Sequence, residues 1–206
     1  MTAQGTEKHD DEQSPEDSGR ADLYRLLGNL LAAPPQQATL DVVQQLSVPV
    51  CGEASAGLEQ ALRSLRDAAG AATPGKLEEE YFALFIGLGR GELCPYASWY
   101  RTGYLMEQPL AMLRSDLKRL GFVRREGVGE PEDHAAALCE VMAMIISETV
   151  LSCGDQQEFF ERHLRPWLPQ FFADLGQAEH ADFYRSVGSA GQAFMNIEQQ
   201  YFSMLV

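Results

Sequence analysis

Apolar residues recur at intervals of three and four along most of the chain, and that period leaves little choice of fold. Phe183, Val187, Ala190, Phe194, Ile197, Tyr201 and Met204 form one such series, and residues so spaced share one face of an α-helix. Leu23, Leu26, Leu27, Leu30 and Leu31 form another, ended by Pro34-Pro35, because the residue before a proline is pushed out of the helical region. Leu58, Ala61, Leu62, Leu65 and Ala69 lead to a stop at Gly70, and Leu110, Leu113, Leu117 and Leu120 to a stop at Gly121. Leu138, Val141, Met142, Ile145 and Thr149 give a further core face, and a weaker segment runs from Leu40 to Leu46.

No segment alternates with period two, and no hairpin turn separates β-branched runs. The pattern predicts an all-α chain, a single compact bundle of about nine to ten helices joined by short loops. This domain is expected to occupy residues 18–206.

Residues 1–17 are polar and acidic and read as a disordered tail. Within them, Ser14-Pro15-Glu16-Asp17 also has the form of a helix start, with Ser14 as N-cap and Pro15 at the first helical position. Thr73-Pro74 restarts a helix, Ser98 is placed to cap a short one, and another spans Pro109 to Leu120. Glu130-Pro131 opens a long helix reaching about Ser152, with Pro131 in its first turn. Asp155 with Glu158 resembles a capping box, Pro166 begins the next helix, and the last runs from His180 to Tyr201.

Composition narrows the function classes. The net charge of −14 opposes general binding to nucleic acid or to an anionic membrane surface, and favours steering of a basic peptide. No apolar run has the roughly 20 residues needed to span a bilayer, and the polar N-terminus is neither a secretory signal nor a transit peptide. The expected location is therefore the cytoplasm. Cys51, Cys94, Cys139 and Cys153 form no CxxC pair and read as reduced, mostly buried thiols.

One stretch departs from this plain pattern. Glu80 to Gly89 begins as an amphipathic helix, with Tyr81, Leu84, Phe85 and Leu88 on one face, and is then broken by Gly87, Gly89 and Gly91. Pro95, Tyr96, Ser98, Trp99 and Tyr100 follow as an aromatic loop. An apolar connector is either buried by its own protein or kept for a partner.

Catalytic readings of the chain are thin. Asp133-His134 falls at a helix start, where the two residues serve either as a polar contact for a ligand or as a capping motif. No histidine, cysteine or acid pair has metal-ligand spacing, so no metal is expected. Cys94 has no base that the sequence places beside it. Gly87 to Gly91 follows a helix and lacks the Lys-Ser/Thr of a phosphate loop. A binding module fits better than an enzyme.

Tyr81-x-x-Leu84-Phe85-x-Gly87-x-Gly89, Pro95-Tyr96-x-Ser98-x-Tyr100 and Glu130-Pro131-x-Asp133-His134, in this order, resemble the TorD/DmsD/NarJ family of redox-enzyme maturation chaperones. Arg20-x-x-x-Tyr24-x-Leu26-Leu27 resembles the family's first helix, and Phe159-Phe160-x-x-His163-Leu164-x-Pro166-Trp167 its late helix pair. The resemblance implies an all-α chaperone, monomeric or a domain-swapped dimer, that is not itself a catalyst. It implies binding of the twin-arginine signal peptide of a molybdopterin oxidoreductase precursor, which is held until its cofactor is inserted and then released for Tat export.

On the same grounds the peptide-binding residues are Tyr81, Leu84, Phe85, Gly87, Gly89, Pro95, Ser98, Trp99, Tyr100, Glu130, Pro131, Asp133 and His134. Glu130, Glu132 and Asp133 are suited to pair with arginine, and Tyr81, Phe85, Trp99 and Tyr100 to take the apolar part. No cofactor is expected beyond weak GTP binding by resemblance. The alternatives are a GTP-binding or hydrolysing protein using Asp133-His134, and a subunit retained in the mature oxidoreductase.

Overall fold

The computed structural model describes residues 14–46, 56–87, 91–124, 127, 129–148 and 150–205. Ten α-helices run through these residues with no β-strand among them, as the apolar period predicts. They are α1 (Pro15–Ala32), α2 (Gln37–Gln44), α3 (Ala56–Ala71), α4 (Pro74–Tyr81), α5 (Ala97–Thr102), α6 (Gln108–Arg119), α7 (Ala135–Ser147), α8 (Cys153–Phe159), α9 (Leu168–Gln177) and α10 (Phe183–Ser203). Helices α4 and α8 each run on into a π-helical turn, Phe82–Ile86 and Phe160–Leu164.

Helix α1 starts as its first four residues suggest, with the Ser14 hydroxyl accepting from the Asp17 N–H. Residues 15–17, expected to belong to a tail, are therefore helix with Ser14 as their cap; residues 1–13 and Cys51 lie outside the described residues.

Several helix ends differ from the expectations. Helix α3 passes through Gly70 to Ala71. Ser98 lies inside α5, whose N-cap is Tyr96. Helix α7 starts at Ala135 with His134 as N-cap, not at Pro131, and ends at Ser147. Ser152, not Asp155, caps α8, and Asp155 returns the bond to the Ser152 N–H to complete the capping box. Helix α9 begins at Leu168, two residues beyond Pro166.

The core is one continuous cluster in which α1 packs on α7 while α10 packs on both α9 and α3. Leu26, Leu27, Leu30 and Leu31 of α1 and Phe183, Val187, Ala190 and Phe194 of α10 are all buried. At the α9–α10 crossing, a Cβ added to Gly188 would lie 2.5 Å from the Gly176 nitrogen and 2.8 Å from the Phe172 carbonyl oxygen. Backbone meets backbone there, so the crossing requires glycine.

The C-terminal part of the stripe departs from its reading: Met204 is exposed, whereas Glu198 is fully buried. Its carboxylate accepts from Arg20 Nε at 2.6 Å, Arg20 Nη2 at 2.9 Å and the Tyr24 hydroxyl at 3.0 Å, joining the first helix to the last. Among the described cysteines Cys139 is buried and Cys94 half-buried, but Cys153 is exposed, contrary to the reading of mostly buried thiols; none forms a disulfide.

Candidate functional site

Helix α4 carries Tyr81 inward, and the π-helical turn after it carries Leu84 inward. The Tyr81 hydroxyl donates to the Leu31 carbonyl at 3.2 Å, its ring meets Phe85 at 4.9 Å, and Phe85 meets Tyr184 at 5.4 Å. Tyr81 and Leu84 are therefore core residues, and only Phe85, half-buried, approaches the surface. The face that repeats by three and four is the one the protein uses for itself, so Tyr81 and Leu84 are packed into the core and neither lines the groove beside α7. Phe82 and Ile86, which fall outside that face, are the exposed apolar residues of this turn.

Gly87 ends the turn at φ 61°, a conformation open to glycine and costly for other residues, with its N–H bonded to the Phe82 carbonyl at 2.7 Å. Gly89 lies outside the described residues. Beyond it the chain doubles back, with the Leu93 N–H on the Leu84 carbonyl at 2.8 Å.

The aromatic loop then meets the Glu130 to Ala135 segment, and the two run antiparallel past each other at a single isolated β-bridge between Tyr96 and His134. The Ala97 N–H donates to the Asp133 carbonyl at 2.9 Å, and the Ala135 N–H to the Pro95 carbonyl at 2.8 Å. Side chains reinforce the pairing. Asp133 Oδ2 accepts from the Ser98 N–H at 2.8 Å and from the Ser98 hydroxyl at 2.5 Å. The Tyr96 hydroxyl donates to Glu130 Oε2, and its ring stands edge-on to His134 at 5.0 Å. The aromatic loop and the acidic motif are thus one junction, although 35 residues separate Ser98 from Asp133.

Each polar group in the junction has a definite state. Asp133 is only 1% exposed, and its carboxylate caps the first turn of α5 at Ser98 instead of facing solvent. Its other oxygen, Oδ1, has no hydrogen-bond partner. His134 accepts the Ala136 N–H on Nδ1 at 3.1 Å as the N-cap of α7, which places the ring proton of the neutral form on Nε2. Burial lowers the His134 pKa, and the raising effects of Glu130 and Asp133 do not offset it. Asp133 and His134 are therefore both caps and both parts of the junction. Burial, together with the bonded carboxylate of Glu130, pushes the Tyr96 hydroxyl pKa upward.

Trp99 is half-buried on α5. Tyr100 points away from the junction. Its hydroxyl donates to Asp174 at 3.0 Å, and its ring packs on Trp167 and Phe171.

Next to the junction lies a groove of about 660 Å³ between the end of α6 and the outer face of α7. Leu117, Phe122, Val141 and Met144 supply its apolar surface, and Glu130, Pro131 and Glu132 form one lip. Helix α7 is apolar nearly all round (its only charged residue is Glu140), so its outer face is left for this groove. Glu132 is paired with Arg114 at 2.8 Å and with Arg124 at 3.6 Å. Sequence spacing carries no sign of that pairing, nor of the exposed Tyr104, Leu105 and Met106 after α5. Among the described residues no three histidine, cysteine or acidic side chains converge as a metal site, and no helix is long and apolar enough to cross a membrane.

A family model described as nitrate reductase delta subunit matches residues 51–173. Chaperone protein TorD of Vibrio atlanticus is 28% identical over 202 residues, covering 88% of this chain and 94% of the relative. TorD of Shewanella loihica is 24% identical over 204 residues, with 91% and 94% covered. A crystal structure from Archaeoglobus fulgidus, described as a redox enzyme maturation protein, superposes with a TM-score of 0.58 at 15% identity, over 94% of this chain and 99% of that one. It supports the fold. The paired motifs, the helical architecture and the matched span together show that the chain belongs to the nitrate reductase delta subunit family, the TorD/DmsD/NarJ redox-enzyme maturation chaperones.

Proposed function

We propose that this maturation chaperone binds the twin-arginine signal peptide of a molybdopterin oxidoreductase precursor in the cytoplasm, before Tat export. The reading rests above all on the junction of the 95–98 loop with the 130–135 segment, set on the lip of an apolar groove. A signal peptide offers two guanidinium groups followed by an apolar stretch. Glutamates on the groove lip suit the first through charge-assisted hydrogen bonds, and Phe122, Val141 and Met144 suit the second. The chain acts by holding the client, and no catalytic step is assigned to it.

Calorimetric titration of synthetic signal peptides tests the proposal. An Arg-Arg peptide from the cognate precursor is expected to bind at least about tenfold tighter than its Lys-Lys counterpart, because lysine cannot reproduce the bidentate contact. Equal affinity for both, or no binding by any precursor of the same organism, would reject it. The family description also raises retention in the assembled enzyme as a second reading; recovery of this chain with exported, active oxidoreductase would favour that instead.

A further inference from the structure

Glu132 is gripped from two sides by the chain's own arginines. Arg114, on α6, places Nη2 at 2.8 Å and Nε at 3.1 Å from Glu132 Oε2. Arg124 places Nη1 at 3.6 Å from Oε1 and donates from Nη2 to the Glu130 carbonyl at 2.9 Å. The glutamate is the buried member of the trio: its side chain is 17% exposed, against 52% for Arg114 and 39% for Arg124. Burial raises the Glu132 pKa, but the hydrogen bond from Arg114, a hydrogen bond from the backbone and the charges of both arginines together hold the carboxyl below its usual range.

Two guanidinium groups converging on one carboxylate at the mouth of an apolar groove is the arrangement an adjacent arginine pair of a peptide would make there. We propose that Arg114 and Arg124 occupy the arginine subsite of the free protein, and that the client's arginines enter by displacing them. The inference rests on the signal-peptide reading and adds that the site is self-occupied.

Three observations carry it. The displaced groups sit on the solvent side, so the exchange needs no unfolding. Both arginines line the same groove as Leu117, Phe122 and Met144, so a peptide that takes their place has an apolar surface alongside. Asp133, the next residue, holds a buried oxygen with no hydrogen-bond partner, and such an acceptor is costly until it is satisfied. A small shift of the 130–133 segment, once the arginine grip is released, would present that oxygen to the second guanidinium.

The expected effect runs against the usual outcome of trimming a binding groove. The Arg114→Ala/Arg124→Ala variant should bind the Arg-Arg peptide about threefold tighter or more, since a competitor that lowers the binding-competent fraction has been removed. Glu132→Gln should weaken the Arg-Arg peptide more than the Lys-Lys peptide, because both lose a charge partner but only arginine loses a bidentate contact. Both arginines are surface residues, and a thermal melt of each variant confirms its fold. If the double variant binds equally or more weakly, self-occupation is wrong while the signal-peptide reading stands. If wild-type protein shows no Arg-Arg preference, both fall together.

Discussion

Replacing Glu198 with alanine is expected to destabilise the protein by about 3–5 kcal/mol, because it strands a buried charge. Arg20 is 5% exposed and Glu198 fully buried. The guanidinium has few other anions to turn to: its remaining polar contacts are Asp17 at 2.8 Å and Gln156 at 3.0 Å. It lies 4.0 Å over the Tyr201 ring and 5.1 Å from the Phe202 ring, so water has little access. Burial alone would lower the Arg20 pKa, yet the hydrogen bonds and charge of Glu198 raise it.

The carboxylate also takes the Tyr24 hydroxyl, so one deletion loosens α1, α8 and α10 together. Urea unfolding measures the loss. The paired change Arg20→Met/Glu198→Leu should recover much of it, since a packed apolar pair can replace a buried ion pair at little net cost. A loss below about 1 kcal/mol for Glu198→Ala would mean that the pair is far more hydrated than its burial indicates.

Asp133→Ala is expected to cost roughly 2–4 kcal/mol, as two buried donors each lose their acceptor. Those donors are the Ser98 N–H and hydroxyl, and Ser98 is fully buried. Without them the first turn of α5 loses its cap, and the pairing of Tyr96 with His134 loses its main side-chain tie. Binding of the Arg-Arg peptide should fall with the junction. Asp133→Asn, which keeps an acceptor oxygen, should be much milder in stability. Thermal melts and titrations on both variants separate the effects. If Asp133→Ala melts like wild type while peptide binding collapses, Asp133 is a direct peptide ligand and not a cap.

The helices were legible in the sequence because burial imposes a local period: Leu26, Leu27, Leu30 and Leu31 are spaced as they are because one side of α1 lies against α7. The caps were less legible. Ser98 and Asp155 have the right chemistry for N-caps, but Tyr96 and Ser152 hold those positions, since the chain direction into each helix is set by tertiary contacts. The same contacts explain Tyr81 and Leu84. Both belong to the motif that carries the family resemblance, and both are consumed by the core, so that part of the motif marks architecture and not binding surface. Glu198 reads as a polar interruption of an apolar stripe, and its meaning depends on Arg20, which lies 178 residues away. Arg114 and Arg124 look like ordinary surface charges until folding sets them against Glu132.

The proposed function puts the client where the 95–98 loop, the 130–135 segment and the α6–α7 groove meet. Hydrogen–deuterium exchange with and without the Arg-Arg signal peptide tests that placement. The amides of Ala97, Ser98 and Ala135 are bonded across the junction and report on its opening. Exchange should change at these amides and along the groove face of α7, while the α9–α10 crossing at Gly188 stays as it was. Peptide binding that leaves the junction amides untouched and alters exchange at α9 and α10 instead would contradict it.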